Sequence, residues 1–134
     1  MEKTLLVIKP DGVERRLIGE IIKRVERDGF EILDMKFIRL KKEEAERFYI
    51  VHKGKDFYPS LVEYISSGPV VAILLQRERA QERLREVVGA TDPKKAEKGT
   101  IRADFGLDIE HNTVHAADPK EDPDREIRFF FPNY

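Results

Sequence analysis

The stretch TLLVIKP, residues Thr4–Pro10, decides the fold. Its apolar run is unbroken, without the alternation of a strand that has one wet face. A membrane span needs about 20 apolar residues, so this run is far too short for one. It reads as a strand buried on both faces. The segment PDG that follows predicts a turn. A second run, VVAILL at 70–75, reads the same way. Two such strands must be covered by helices, which predicts an α+β layer sandwich.

The flanking segments supply the cover. Between 15 and 28, Leu17, Ile18, Ile21, Ile22 and Val25 recur at helical spacing, and Gly29 is suited to end that helix. In 31–40, Leu33, Met35 and Phe37 alternate with Asp34 and Lys36, as in a half-exposed strand. Helical faces follow: Ala45, Phe48 and Tyr49 in 43–52, then Phe57, Leu61, Tyr64 and Ile65 in 57–67. Gly68-Pro69 ends the second of these, and residues 78–88 carry a third face built on Ala80, Leu84, Val87 and Val88. Residues 89–106 read mostly as loop, with a short helix opening at Asp92-Pro93. A weak strand is expected near 112–115, and DPDREIRFFF reads as either helix or strand. The resulting order suggests a ferredoxin-like βαββαβ sandwich with an antiparallel four-stranded sheet, in one domain spanning 1–134.

Composition narrows the function. Lys+Arg number 25 against 26 Asp+Glu, a net charge of −1, which gives no general attraction to nucleic acid or anionic membrane. An anionic ligand would need a few locally placed cations. The chain has no cysteine, hence no thiol chemistry, and the expected location is the cytoplasm. Charged residues make up 38% of the chain, with two Asn, two Gln and two Met, a pattern that predicts high thermal stability.

Few residues stand out as chemical. Taken singly, Lys9 reads as a solvated strand end, and Arg85 and Arg102 as surface charges. Tyr49 and the stripe Phe57–Leu61 read as core. His115 differs, because it stands in HNTVHAAD (111–118) with only alanines behind it. A neutral imidazole is a competent nucleophile if one ring nitrogen is free and the other donates to a fixed acceptor, such as Glu126 or a carbonyl. On a straight strand Asn112 and His115 would face opposite ways, so a shared site requires a bend between them. The chain lacks a Walker A loop and a GxGxxG segment.

Taken together, TLLVIKPDGVERRLIGEII, FYPSLVEYISSGPVVAILL, GATDP, GTIRADFG and NTVHAAD, in this order and spacing, resemble the nucleoside diphosphate kinases from Thr4 to about Phe130. The resemblance implies transfer of a γ-phosphate from a nucleoside triphosphate to a nucleoside diphosphate, ping-pong, through a phosphorylated His115. It implies that Lys9, Tyr49, Arg85, Thr91, Arg102 and Asn112 contact phosphates and ribose. Phe57 and Leu61, with Ile109 beside them, would hold the base, and Glu126 would orient His115. Mg²⁺ would be held mainly through the nucleotide phosphates, near Asp118. Family members are hexamers of identical chains, sometimes tetramers.

One position departs from the pattern. Ala117 stands where the family has a serine whose hydroxyl supports the glutamate, which implies slower phosphorylation. It is also the one feature favouring a weakly active, regulatory member. A ferredoxin-like nucleic-acid module is the more distant alternative, and the balanced charge argues against it.

Overall fold

The computed structural model describes residues 1–134 and contains one antiparallel sheet of four strands: β1 (Glu2–Ile8), β2 (Glu31–Ile38), β3 (Val70–Arg77) and β4 (Val114–Ala116). Their spatial order is β2-β3-β1-β4, which is the ferredoxin-like arrangement. The two unbroken apolar runs are its central strands, with Leu5 opposite Leu74 and Leu6 opposite Ile73.

Both faces of these strands are covered, which is why their sequences show no alternation. One core holds Leu5, Val7, Ala72 and Leu74. It is closed by helices α3 (Lys42–Phe48), α4 (Tyr58–Ile65) and α7 (Pro123–Phe130). The other holds Leu6, Ile8, Ile73 and Leu75 under α2 (Ile18–Arg27), α5 (Ala80–Val88) and α6 (Ile101–Phe105). No helix is long and apolar enough to cross a membrane.

Several local expectations are corrected. Pro10 opens a helix, α1 (Pro10–Glu14), where a turn is predicted, because proline is preorganised for the first helical position. The helix expected from 15 begins only at Ile18, since Arg16 takes a left-handed φ of 60° that separates α1 from α2. Residues 89–106 are less irregular than their polarity suggests. Asp92 caps a 3₁₀ turn at Pro93–Lys95, and Thr100 caps α6 by accepting from the Ala103 N–H at 3.2 Å. Strand β2 is more exposed than its alternation predicts: Leu33, Met35 and Phe37 are 39%, 44% and 63% exposed. It is an edge strand with an irregularity between Ile32 and Asp34, and no helix of this chain covers that row. The undecided C-terminal segment is helical, started by Asp122, whose side chain accepts from the Arg125 N–H at 3.2 Å.

The bend required between Asn112 and His115 is present. Thr113 has a φ of 78°, an uncommon conformation for a β-branched residue, and its carbonyl accepts from the Lys9 N–H at 2.9 Å. Gly12 packs against this corner. A Cβ there would lie 2.8 Å from Ile8 Cγ2 and 3.1 Å from the Thr113 carbonyl oxygen. Gly12→Ala is therefore expected to destabilise the fold by about 1–3 kcal/mol, read by urea unfolding. Unchanged stability would show that the corner yields without strain.

Candidate active site

The bend opens a cleft of about 380 Å³ that brings together residues from distant parts of the chain. Lys9 comes from the end of β1, Arg85 from α5, Arg102 from α6 and His115 from β4. Tyr49, Phe57, Leu61, Thr91, Ile109, Asn112 and Asp118 also line it. Glu126, from the first turn of α7, lies behind His115 and is buried. All the residues singled out in the sequence are thus in or against one cleft.

The imidazole is anchored on one side only. Nε2 of His115 lies 2.5 Å from Glu126 Oε1, while Nδ1 makes no hydrogen bond. The rings of Phe48 and Tyr49 pack edge-on against it, at 5.1 and 5.9 Å between centroids. Glu126 therefore fixes both the orientation of the ring and its tautomer: Nε2 carries the proton, leaving the Nδ1 lone pair available.

The cations are buried without anions. Lys9 is 5% exposed, and its Nζ donates to Asn112 Oδ1 at 2.8 Å and to the Glu110 carbonyl at 3.3 Å. Arg102, also 5% exposed, donates to the carbonyls of Gly89 and Val114 at 3.0 and 2.8 Å, and its Nε has no partner. Neither cation has a carboxylate partner. Burial, then the charge of Arg102, lowers Lys9 to about 8. Burial, then Arg85, lowers Arg102 to about 10. Arg85 is more open, donating to the Ala116 carbonyl at 3.2 Å and lying 3.9 Å from Asp118. The Tyr49 hydroxyl is buried without a partner, and burial raises its pKa.

The residue-by-residue expectation of solvated charges thus fails for Lys9 and Arg102. It fails also for Phe57, expected in the core but 48% exposed on the cleft wall. Asn112 spends both amide hydrogens, on the carbonyls of Thr91 and Ile109, each at 2.9 Å. One Oδ1 lone pair goes to Lys9, so a single acceptor site remains. Across the cleft, burial falls from Lys9 and Arg102 to exposed, apolar Phe57 and Ile109, the latter 60% exposed.

His52, Glu110 and Glu121 also line the cleft and were not singled out. The only sequence signal for His52 is its spacing of three from Tyr49. Burial lowers the His52 pKa against the opposing pull of Glu121. His111 points elsewhere, with Nδ1 3.0 Å from Asp108 Oδ1 and its ring 4.3 Å from that of Tyr64.

An anchored imidazole facing unmatched cations is chemically suited to phosphoryl transfer, and comparison with known proteins places the chain in a family with that chemistry. The model of the nucleoside diphosphate kinase family matches residues 2–134. A nucleoside diphosphate kinase of Desulfatibacillum aliphaticivorans is 53% identical over 134 residues, covering 100% of this chain and 97% of that protein. One from Archaeoglobus fulgidus is 49% identical over 131 residues, covering 98% and 87%. Among solved structures, the halophilic enzyme of Halobacterium salinarum in complex with CDP has a TM-score of 0.95 at 41% identity, covering 98% and 88%. The Aquifex aeolicus enzyme has a TM-score of 0.94 at 44% identity, covering 97% and 94%. The chain belongs to the nucleoside diphosphate kinase family, a family of phosphotransferases.

The unmatched cations generate a prediction. Lys9 loses its charge as pH rises through about 8, and a bound anion favours the charged form, so binding should raise its pKa and take up a proton above pH 8. A titration of the lysine Cε resonances should give Lys9 a midpoint near 8, moving upward when sulfate is added. A midpoint at the ordinary lysine value, or one indifferent to sulfate, would contradict an anion-receiving cleft.

Proposed function

We propose that this cleft moves the γ-phosphate of a nucleoside triphosphate to a nucleoside diphosphate by way of a phosphorylated His115. The observation that carries this reading is the one-sided anchoring of the imidazole, with Nε2 on Glu126 and Nδ1 free in a cleft of unmatched cations. Nδ1 attacks the γ-phosphorus, the bond to the bridging oxygen breaks, and the nucleoside diphosphate leaves. The ring becomes a phosphorylated imidazolium that keeps its Nε2 proton, and the Glu126 carboxylate stabilises that charge. In the second half, a terminal phosphate oxygen of another diphosphate attacks the same phosphorus. The P–N bond breaks and the neutral imidazole returns. No proton has to leave the ring in either half.

Lys9, Arg85 and Arg102 offset the phosphate charge in the transition state, where positioning and electrostatics supply most of the catalysis. Tyr49 brings a hydroxyl that has no protein partner, and Thr91 also lines the cleft. The remaining Oδ1 lone pair of Asn112 suits a ribose hydroxyl. Phe57, Leu61 and Ile109 receive the base. Stacking on an aromatic face contributes about 1–3 kcal/mol and tolerates every base, which fits a broad acceptor range. The CDP complex of the halobacterial relative supports a nucleoside diphosphate as ligand.

Mg²⁺ fits this cleft as a cation carried by its substrate. No group of three or more His, Cys, Asp or Glu side chains could hold a metal ion, whereas the single carboxylate of Asp118 lines the cleft. When bound, the ion would neutralise phosphate charge near Asp118. We further infer a cytoplasmic homo-oligomer, a hexamer or a tetramer. The uncovered row Leu33, Met35 and Phe37 supports self-association, and the lack of cysteine accords with a reducing compartment.

Incubation with γ-labelled ATP is expected to give an acid-labile phosphohistidine, and unlabelled ADP to discharge it. His115→Ala should lose both the label and transfer by at least about a thousandfold while keeping its thermal transition. His52→Ala and His111→Ala should still take up label. Label persisting in His115→Ala would refute the assignment.

A further inference from the structure

We propose that Glu110 is a positioning residue that straps together the two walls of the base-receiving end of the cleft. This rests on the nucleotide reading of the cleft and adds Glu110, which lies outside the quoted family motifs. Ser60, on α4, precedes Leu61 and lies three residues after Phe57, while Glu110 follows Ile109 on the opposite wall. The Ser60 Oγ lies 2.9 Å from each oxygen of the Glu110 carboxylate, so a single hydroxyl proton is shared across the slot. The two residues are 50 positions apart in sequence, and the contact spans the walls that would hold the base.

The strap also reaches the phosphate end. The Glu110 carbonyl accepts from Lys9 Nζ at 3.3 Å, and its N–H donates to Asp108 Oδ1 at 2.9 Å. The second Glu110 function, its carboxylate, is thus drawn to α4 while its backbone is tied to a catalytic cation. The other tie between this loop and α4 is the contact of Tyr64 with His111, which lies outside the cleft. Ser60–Glu110 is the tie on the cleft side, next to Leu61 and Ile109. Losing it would let Ile109 drift from Phe57 and would free a carboxylate beside Lys9. Substrates that carry a base should suffer most.

A hydrogen bond at this exposed position contributes little to the fold, so Ser60→Ala should remain folded. The wild type and variant are compared with ATP as donor and two acceptors, ADP and an abasic ribose 5′-diphosphate. In Ser60→Ala the KM for ADP should rise about three- to tenfold with kcat within about twofold, the size of one lost hydrogen bond. The KM for the abasic acceptor should stay put, and Ser60→Thr should restore the ADP value. An unmoved ADP KM, or an equal loss with the abasic acceptor, would overturn the strap alone. A wild type that fails to phosphorylate ADP would overturn the nucleotide reading and the strap with it.

Discussion

Everything in the site follows from two cations held out of water with no carboxylate paired to either of them. Removing an ammonium and a guanidinium from solvent disfavours their charged forms by several kcal/mol each unless partners replace the lost hydration. Here the partners are neutral: an amide oxygen and a carbonyl for Lys9, and two carbonyls for Arg102. These keep the cations in place without cancelling their charge. The field they leave uncancelled can act on a polyphosphate. Those carbonyls come from residues 89, 110 and 114, so the loops around α6 and β4 must fold tightly before the cations can be buried.

The left-handed Thr113 makes this convergence possible. It turns the chain so that Asn112 reaches Lys9 while His115, on the far side of the bend, faces the same cleft. Backbone strain of this kind persists only where surrounding structure overdetermines it, and here the Lys9 N–H and Gly12 do so. Ala117, the departure from the family pattern, is fully buried in the core that also holds Ile127 and Phe130. It offers Glu126 no hydroxyl. Glu126 instead sits in the first turn of α7, where the positive end of the helix dipole favours a carboxylate.

The sequence made the sheet legible because β1 and β3 are buried on both faces, and an unbroken apolar run has few other readings. It made β2 misleading, because the alternation of Leu33, Met35 and Phe37 marks a face that no element of this chain covers. Helices α1 and α6 are hard to read because five residues give no periodicity; only the first-turn Pro10 and the cap Thr100 signal them. The cleft was legible chiefly through the family resemblance. Residue by residue, Lys9 and Arg102 look like solvent charges, since burial of a cation is a property of loops that meet only in three dimensions. Glu110 and His52 carried no signal strong enough to separate them from other charged or polar residues, and the structure alone brings them to the cleft.

The central claim is that Glu126 holds Nε2 of His115 and so leaves Nδ1 to carry the phosphate. The most direct test is a proton–phosphorus correlation spectrum of the protein after phosphorylation by ATP. Phosphorus on Nδ1 is coupled through three bonds to Hε1 alone, whereas phosphorus on Nε2 is coupled to both Hε1 and Hδ2. The account predicts a single correlation, to Hε1 of His115. Correlations to both ring protons would place the phosphate on the nitrogen assigned here to Glu126 and would contradict the mechanism.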